Sequence, residues 1–386
     1  MWSRPFNRNL AEKANMPNQQ KTKNSATTVE HVFSEAIKRT FHLPESVIRL
    51  FRRGRPEYQQ MDARLACLCR LSDSLLKPNK LSIGTFRQRL QFTQRLLGPS
   101  PQSIAKVWQE MIPTRDGSMI QAKLYQPEGA TPAPGPALVY LHGGGWVSGD
   151  IPTYDDILRH LAHSIGCTVV AVDYRLSPEY KFPTPLLDVI DAMGWLQTRA
   201  PYLAIDPERI ALAGDSAGGN LAAGYCLAIK DLDHLRPVFQ VLIYPAVDLQ
   251  FTTPSSQRYS HGLILTQNMM QWFRQLYLND LSETLRPEAS PALHPRLADL
   301  PQTLIYTAEF DPLIDEARQF ATSLNQAGVG VHYQTFAGLV HGFLGFAGAI
   351  PSAGLALQTI SDDIRNRFRT IEQQQPSHRL RQTKRG

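Results

Sequence analysis

Arg209-Ile-Ala-Leu-Ala-Gly214-Asp-Ser216-Ala-Gly218-Gly-Asn220 is an apolar run that ends in Gly-Asp-Ser-Ala-Gly and passes into a stretch of helical composition. A serine at a strand-to-helix junction, with glycine two residues to either side, is the sequence of a very tight turn, because a Cβ at either flanking position would clash. Such a turn lifts the Ser216 Oγ above the edge of a sheet and aims the N-terminus of the next helix at it, where the helix dipole favours developing negative charge. A glycine-rich turn with an N-capping serine would account for this segment by itself, so the flanking sequence has to separate the two readings.

Upstream, Ala137-Leu-Val-Tyr-Leu141-His142-Gly143-Gly144-Gly145-Trp146 is a second apolar strand running into three glycines. Acyl transfer places negative charge on a carbonyl oxygen, and rigid backbone N–H groups in a loop that can approach closely are suited to stabilise it. The amides of Gly143, Gly144 and Gly145, with that of Ala217 after the serine, are the expected oxyanion donors. A phosphate-binding loop is the rival, yet neither G-x-G-x-x-G nor G-K-[ST] is present.

A serine hydroxyl needs a base, and the base needs an orienting carboxylate. Downstream, Thr303–Thr307 reads as a strand followed by Ala-Glu309-Phe-Asp311-Pro, and Val331–Phe336 as a strand followed by Ala-Gly-Leu-Val-His341-Gly. The order serine, acid, histidine selects Asp311 and His341. Glu309 and Asp315 compete for the acid. Asp248 reads as a loop or cap residue and His332 lies inside a strand, while Asp215 is expected to hold the turn through local hydrogen bonds.

Around these segments, strand-like runs at 137–141, 168–172, 209–213, 239–244, 303–307 and 331–336 alternate with helical stretches near 154–165, 185–199, 216–230, 312–327 and 355–371. This alternation builds an α/β fold with a mostly parallel, doubly wound sheet. A hairpin, 104–112 with 119–126, precedes it. Two amphipathic segments lie earlier still, one striped by Met61, Leu65, Leu68, Leu75 and Leu76, the other by Phe86, Leu90 and Leu97 with Gly98 as its C-cap. Nearly sixty residues separate Tyr244 from Thr303, too many for a plain connection, and Thr266 N-caps a helix within them. This insertion, about 249–290, and the 56–100 helices are expected to sit together as a helical cap over a catalytic domain of 101–372. Trp146, Met270 and Phe273 are the expected lining of an apolar substrate pocket, with Met269, Trp272 and Tyr277 as further candidates.

The 386 residues carry a net charge of +6, but residues 1–60 hold 11 Lys/Arg against 5 Asp/Glu, and 361–386 hold 7 against 3. The body between them is slightly acidic, so a basic nucleic-acid-binding face is not expected. Residues 1–55 form a basic extension, taken as disordered over 1–26 and as a short helix from Thr27; 373–386 form a basic polar tail. The segment from Ser46 to Pro56 admits a membrane-surface or partner-docking helix, or a helix covering part of the body with a solvated basic face. No apolar run is long enough for an export signal or a membrane span. The four scattered cysteines fit reduced thiols in a cytoplasmic protein, with no metal site.

HGGGW at 142–146, VDYRLSPEYKFP at 172–183, GDSAGGN at 214–220, EFDPLIDE at 309–316 and VHGF at 340–343 together resemble the hormone-sensitive lipase-like family of carboxylesterases, the bacterial family IV esterases. The resemblance spans about 60–372. It implies an α/β-hydrolase fold with a helical cap, hydrolysis of short-to-medium acyl esters as small-molecule substrates, and no cofactor. It carries the triad onto Ser216, Asp311 and His341, and the oxyanion hole onto the glycines after His142. Asp173, Arg175 and Glu179 are expected to be structural. A lactonase or an acetyl-sugar esterase would use the same triad, as would a peptidase or amidase, for which no recognition domain is visible. A non-catalytic binding protein of this fold, as the family's plant gibberellin receptors are, would be expected to lack the serine or the histidine. Whether the chain self-associates is left open.

Overall fold

The computed structural model describes residues 45–75, 81–129, 134–229 and 234–374. The expectations for 1–44 and for the end of the tail lie outside these residues. Helices α1 (Ala63–Leu75) and α2 (Ile83–Leu97) lead into the hairpin β1 (Lys106–Pro113) and β2 (Met119–Gln126). The alternating part follows: β3 (Gly135–Leu141), α3 (Ile151–Ile165), β4 (Thr168–Asp173), α4 (Thr184–Arg199), β5 (Ile205–Asp215), α5 (Ala217–Ala228) and β6 (Gln240–Ile243). After the insertion with α6 (Gln267–Tyr277) come β7 (Thr303–Phe310), α7 (Ile314–Gln326), β8 (Val331–Val340) and α8 (Pro351–Gln374).

These strands form one sheet in the order β1-β2-β4-β3-β5-β6-β7-β8. The β1–β2 and β2–β4 pairs are antiparallel and all others parallel. Central strands need apolar residues on both faces, because helices cover both. Accordingly β6 is buried throughout, and β3 over its last five residues. Leu212 on β5 is wholly buried, and truncating such a leucine to alanine costs about 2–5 kcal/mol. The β1 strand at the edge instead exposes Met111.

Local signals fix the helix ends near the site. Asp150 accepts the Thr153 amide at the start of α3, and Thr266 accepts that of Met269 at the start of α6. Gly98 ends α2, but with extended backbone (φ −66°, ψ 171°) rather than the left-handed cap expected of a C-terminal glycine. Its hydrogen is needed for space, since a Cβ there would collide with the Gln94 carbonyl.

The early helices and the insertion meet. The Phe86 ring on α2 packs edge-on against Trp272 and Phe273 of α6, at centroid distances of 5.2 and 5.6 Å. Tyr58 donates to the Gly262 carbonyl at 2.8 Å. In the basic segment ahead of them, Ile48 is buried while Leu50 is half exposed, and Arg49 and Arg53 face outward whereas Arg55 turns in to Glu57 and the His261 carbonyl. Among the described residues, no helix is long and apolar enough to cross a membrane.

Candidate active site

Loops at the carboxyl ends of β3, β5, β7 and β8 build the site. Ser216, directly after β5, has φ 52° and ψ −116°, a conformation that a non-glycine residue adopts only under local constraint. The Ser216 amide donates to the Ile243 carbonyl at 2.8 Å. Helix α5 turns so sharply onto β3 that a Cβ on Gly218 would collide with the Leu141 carbonyl oxygen. This is the tight turn the pentapeptide implies.

Asp311 and His341 are brought together by strand register. Each is the residue after the paired Phe310 and Val340, the last residues of β7 and β8. The sequence suggests that β8 stops near Phe336, with His341 out on a loop. Instead the strand runs on through a register shift between Ala308 and Phe310, where four residues of β8 advance against two of β7. Glu309, a competitor for the acid, accepts the Gly338 amide at this irregularity, and Asp315 accepts the amide of Ser255. Neither serves the histidine.

The His341 Nδ1 lies 2.8 Å from Asp311 Oδ2, and its Nε2 lies 2.9 Å from Ser216 Oγ. A buried carboxylate can only accept, so Nδ1 carries the proton and Nε2 is left to accept the serine's. The Leu313 amide donates to the other Asp311 oxygen, and Tyr244 packs a tilted ring 4.8 Å from the imidazole.

On the opposite side of Ser216 lies the 142–149 loop. Leu141 pairs with Gly214 across β3 and β5, so the glycines and Asp215 emerge side by side. The Gly143 amide donates to Asp215 Oδ1 at 2.8 Å and also lies 3.1 Å from the Tyr154 hydroxyl. Gly143 is thereby corrected from an expected oxyanion donor to an anchor, because its only N–H is engaged by the fold. Among the described residues, the Gly144, Gly145 and Ala217 amides have no protein acceptor. Gly144 has φ 118°, and a Cβ there would collide with the Ser148 carbonyl. Asp215 also accepts from the Tyr140 and Tyr154 hydroxyls at 2.9 and 3.0 Å. Burial raises its carboxyl pKa above the ordinary value, while the phenols, His142 and the Gly143 amide pull it back. The local bonds expected of Asp215 therefore reach further than the serine turn: they join it to the glycine loop.

The expected pocket residues divide. Trp146 is 2% exposed and stacks on Tyr277 at 4.3 Å, so it is a core residue rather than the wall of an open pocket. Met270 is likewise packed in the core. The Phe273 ring fills the space beside Gly145 that a Cβ would occupy, and so touches the glycine loop directly.

Sequence reasoning missed Glu316 as part of this region. Buried at the start of α7, it accepts the Val247 and Asp248 amides through Oε1 at 2.9 and 3.2 Å. Its Oε2 has no hydrogen-bond partner among the described residues. Burial holds its acid well above the usual carboxylate range, with Asp248 and Asp311 adding to the rise and the two amides opposing it. An acidic residue one turn into an amphipathic helix reads as solvated from sequence alone. Among the described residues, no cluster of His, Cys, Asp or Glu could hold a metal ion.

A sheet of this order, with serine, carboxylate and imidazole at the ends of β5, β7 and β8, defines an α/β hydrolase. Residues 138–345, more than half of the chain, match the family model described as alpha/beta hydrolase fold. The chain is 40% identical over 244 residues to an ethyl acetate hydrolase of Pseudomonas putida, covering 62% of this chain and 76% of that one. It is 40% identical over 209 residues to an arylesterase of Saccharolobus solfataricus, covering 54% and 68%. Among solved structures, a thermophilic carboxylesterase cloned from a metagenomic library superposes with a TM-score of 0.70 at 39% identity, covering 74% of this chain and 97% of that one. A hyperthermophilic esterase from Pyrobaculum calidifontis gives 0.69 at 37%, covering 77% and 97%. The chain belongs to the α/β-hydrolase family, in its hormone-sensitive lipase-like branch.

Proposed function

We propose that this chain is a serine carboxylesterase that hydrolyses short-to-medium-chain carboxylic esters through an acyl-enzyme on Ser216. The observation that carries the reading is the continuous chain of contacts from Asp311 through both nitrogens of His341 to the Ser216 Oγ. His341 Nε2 takes the serine proton as Oγ attacks the ester carbonyl. The carbonyl π electrons move onto its oxygen, which the Gly144, Gly145 and Ala217 amides receive. As the tetrahedral centre collapses, the alcohol leaves with the proton from His341. Water, deprotonated by the same nitrogen, then attacks the acyl group and returns Ser216. Asp311 holds the imidazole tautomer and stabilises the imidazolium.

The names of the relatives support esters as the substrate class. The aromatic group of Phe86, Trp272 and Phe273 beside the glycine loop favours modest acyl length. We take 56–100 and the insertion at 249–290 as the cap, 101–372 as the catalytic domain, 1–55 as an extension and 373–386 as a tail. The four cysteines are buried thiols scattered along the chain. That supports a reducing, cytoplasmic setting, and the acidic body argues against a nucleic-acid partner.

The test is a chain-length series of p-nitrophenyl esters. The native enzyme is expected to favour short and medium acyl groups and to be inactivated by a serine-directed organophosphate. Ser216→Ala should lose at least about 10⁴-fold in kcat. An alanine variant with undiminished hydrolysis would remove the basis for the assignment.

A further inference from the structure

Helix α2 lies outside the sheet, yet it grips both loops that flank Ser216. At its N-terminal end the Arg87 guanidinium makes four hydrogen bonds. Nε donates to the Val147 carbonyl at 2.7 Å, and one terminal nitrogen donates to the Ser177 carbonyl at 3.0 Å. The two terminal nitrogens also pair with the two Glu179 carboxylate oxygens at 2.9 and 2.7 Å. At its C-terminal end the Leu97 carbonyl accepts the Gly348 and Ala349 amides, beyond His341.

Val147 closes the glycine turn. Its own amide, and that of Ser148, donate to the Gly144 carbonyl at 3.2 and 3.0 Å. The Ser177 amide donates to the Trp146 carbonyl at 2.8 Å. Arg87 therefore holds two strands of chain against each other at the outer rim of the turn that carries the Gly144 and Gly145 amides. The neighbouring Phe86 reaches the same turn from above, through Phe273 and its contact with Gly145. The two carbonyls belong to wholly buried residues, whereas the Glu179 side chain is 53% exposed. An exposed ion pair contributes little, so the carbonyl bonds are the part of this contact that can fix geometry.

We propose that Arg87 is a positioning residue for the oxyanion hole. By holding the Val147 and Ser177 carbonyls, it makes the alignment of the glycine amides depend on the seating of α2. This deepens the esterase reading and rests on it. Donors act fully only when aimed at the position of the oxyanion, so loosening the turn should weaken binding of the transition state more than that of the ground-state ester.

The experiment measures kcat and KM on a short p-nitrophenyl ester, per organophosphate-titrated site for the native chain, Arg87→Ala, Arg87→Lys and Glu179→Gln, and per total protein for Ser216→Ala. Arg87→Ala should lower kcat about 10–100-fold, with KM within about threefold. Arg87→Lys, which can still donate to a carbonyl, should recover part of the loss. Glu179→Gln, which leaves both carbonyl bonds in place, should stay within about twofold of native. Titrated Arg87→Ala sites with native kcat would overturn the proposal, as would a loss in Glu179→Gln equal to that in Arg87→Ala. If Arg87→Ala yields no folded protein, the comparison of Arg87→Lys with Glu179→Gln decides: a kcat loss in Lys and not in Gln supports the role, and equal values overturn it. Activity retained in Ser216→Ala would instead strike at the esterase reading itself.

Discussion

The two sides of Ser216 are built differently. On the acid–base side, Asp311 and His341 are consecutive with paired residues of adjacent parallel strands, so the sheet's own register supplies the juxtaposition. On the oxyanion side, the 142–149 loop is irregular, and its shape is imposed from several directions: by Asp215 and Tyr154 from below, by Ser177 alongside, by Phe273 of α6 and by Arg87 of α2. A register is fixed once the strands pair, whereas a loop made of glycines has no preferred shape of its own and takes the one its contacts select. The acid–base side should therefore answer mainly to its own residues, and the oxyanion side to distant ones as well.

The largest effect that tests this contrast is on the acid–base side. Asp311→Asn should cut kcat by about 10⁴, while circular dichroism and the melting temperature show an intact fold. A loss of folding along with activity would mean that this side is not held by the sheet alone. On the other side, Gly144→Ala should lower kcat about 10²–10³-fold with KM little changed. A positive φ and the Ser148 carbonyl both oppose a Cβ there, so native kcat in this variant would show that the loop adapts where the comparison says it cannot.

The smallest expected effect concerns Glu316, which braces the segment after β6 beside Asp311. A carboxyl whose folded pKa is raised favours the protonated fold, so it withdraws stability as pH rises from the ordinary glutamate value, about 4.3, toward its raised one. Glu316→Gln keeps an oxygen for the Val247 and Asp248 amides but removes the titration. Its melting temperature relative to native should therefore climb between pH 4 and 8, with kcat within about threefold. Parallel melting curves across that range would show that Glu316 does not titrate as its burial dictates.

Much of the acid–base side was legible in the sequence. Apolar runs marked the strands, and position relative to them ranked Asp311 over Asp248, which reads as a loop or cap residue, and His341 over His332, which lies inside a strand. What was not legible was the extension of β8 to Val340, since Ala337 and Gly338 break the apolar pattern and only pairing with β7 reveals the irregularity. The oxyanion side was half legible. The three glycines announced a backbone site, but nothing in a run of identical residues says that the first one donates inward to Asp215. Trp146 and Met270 were likewise beyond reach, because an aromatic or sulfur side chain in a loop or an inserted helix reads the same whether it faces substrate or packs in the core.

Local rules, then, determined which segments are strands, where the serine turn lies, and which residue types could carry acyl transfer, because each depends on steric limits within a few consecutive residues. Tertiary structure alone decided which amides remain free, which carboxylates are buried, and that an arginine from outside the sheet reaches the glycine turn. The longest-range of those outcomes join groups sixty or more positions apart, as Arg87 and Val147 are, and only packing determines which of them meet.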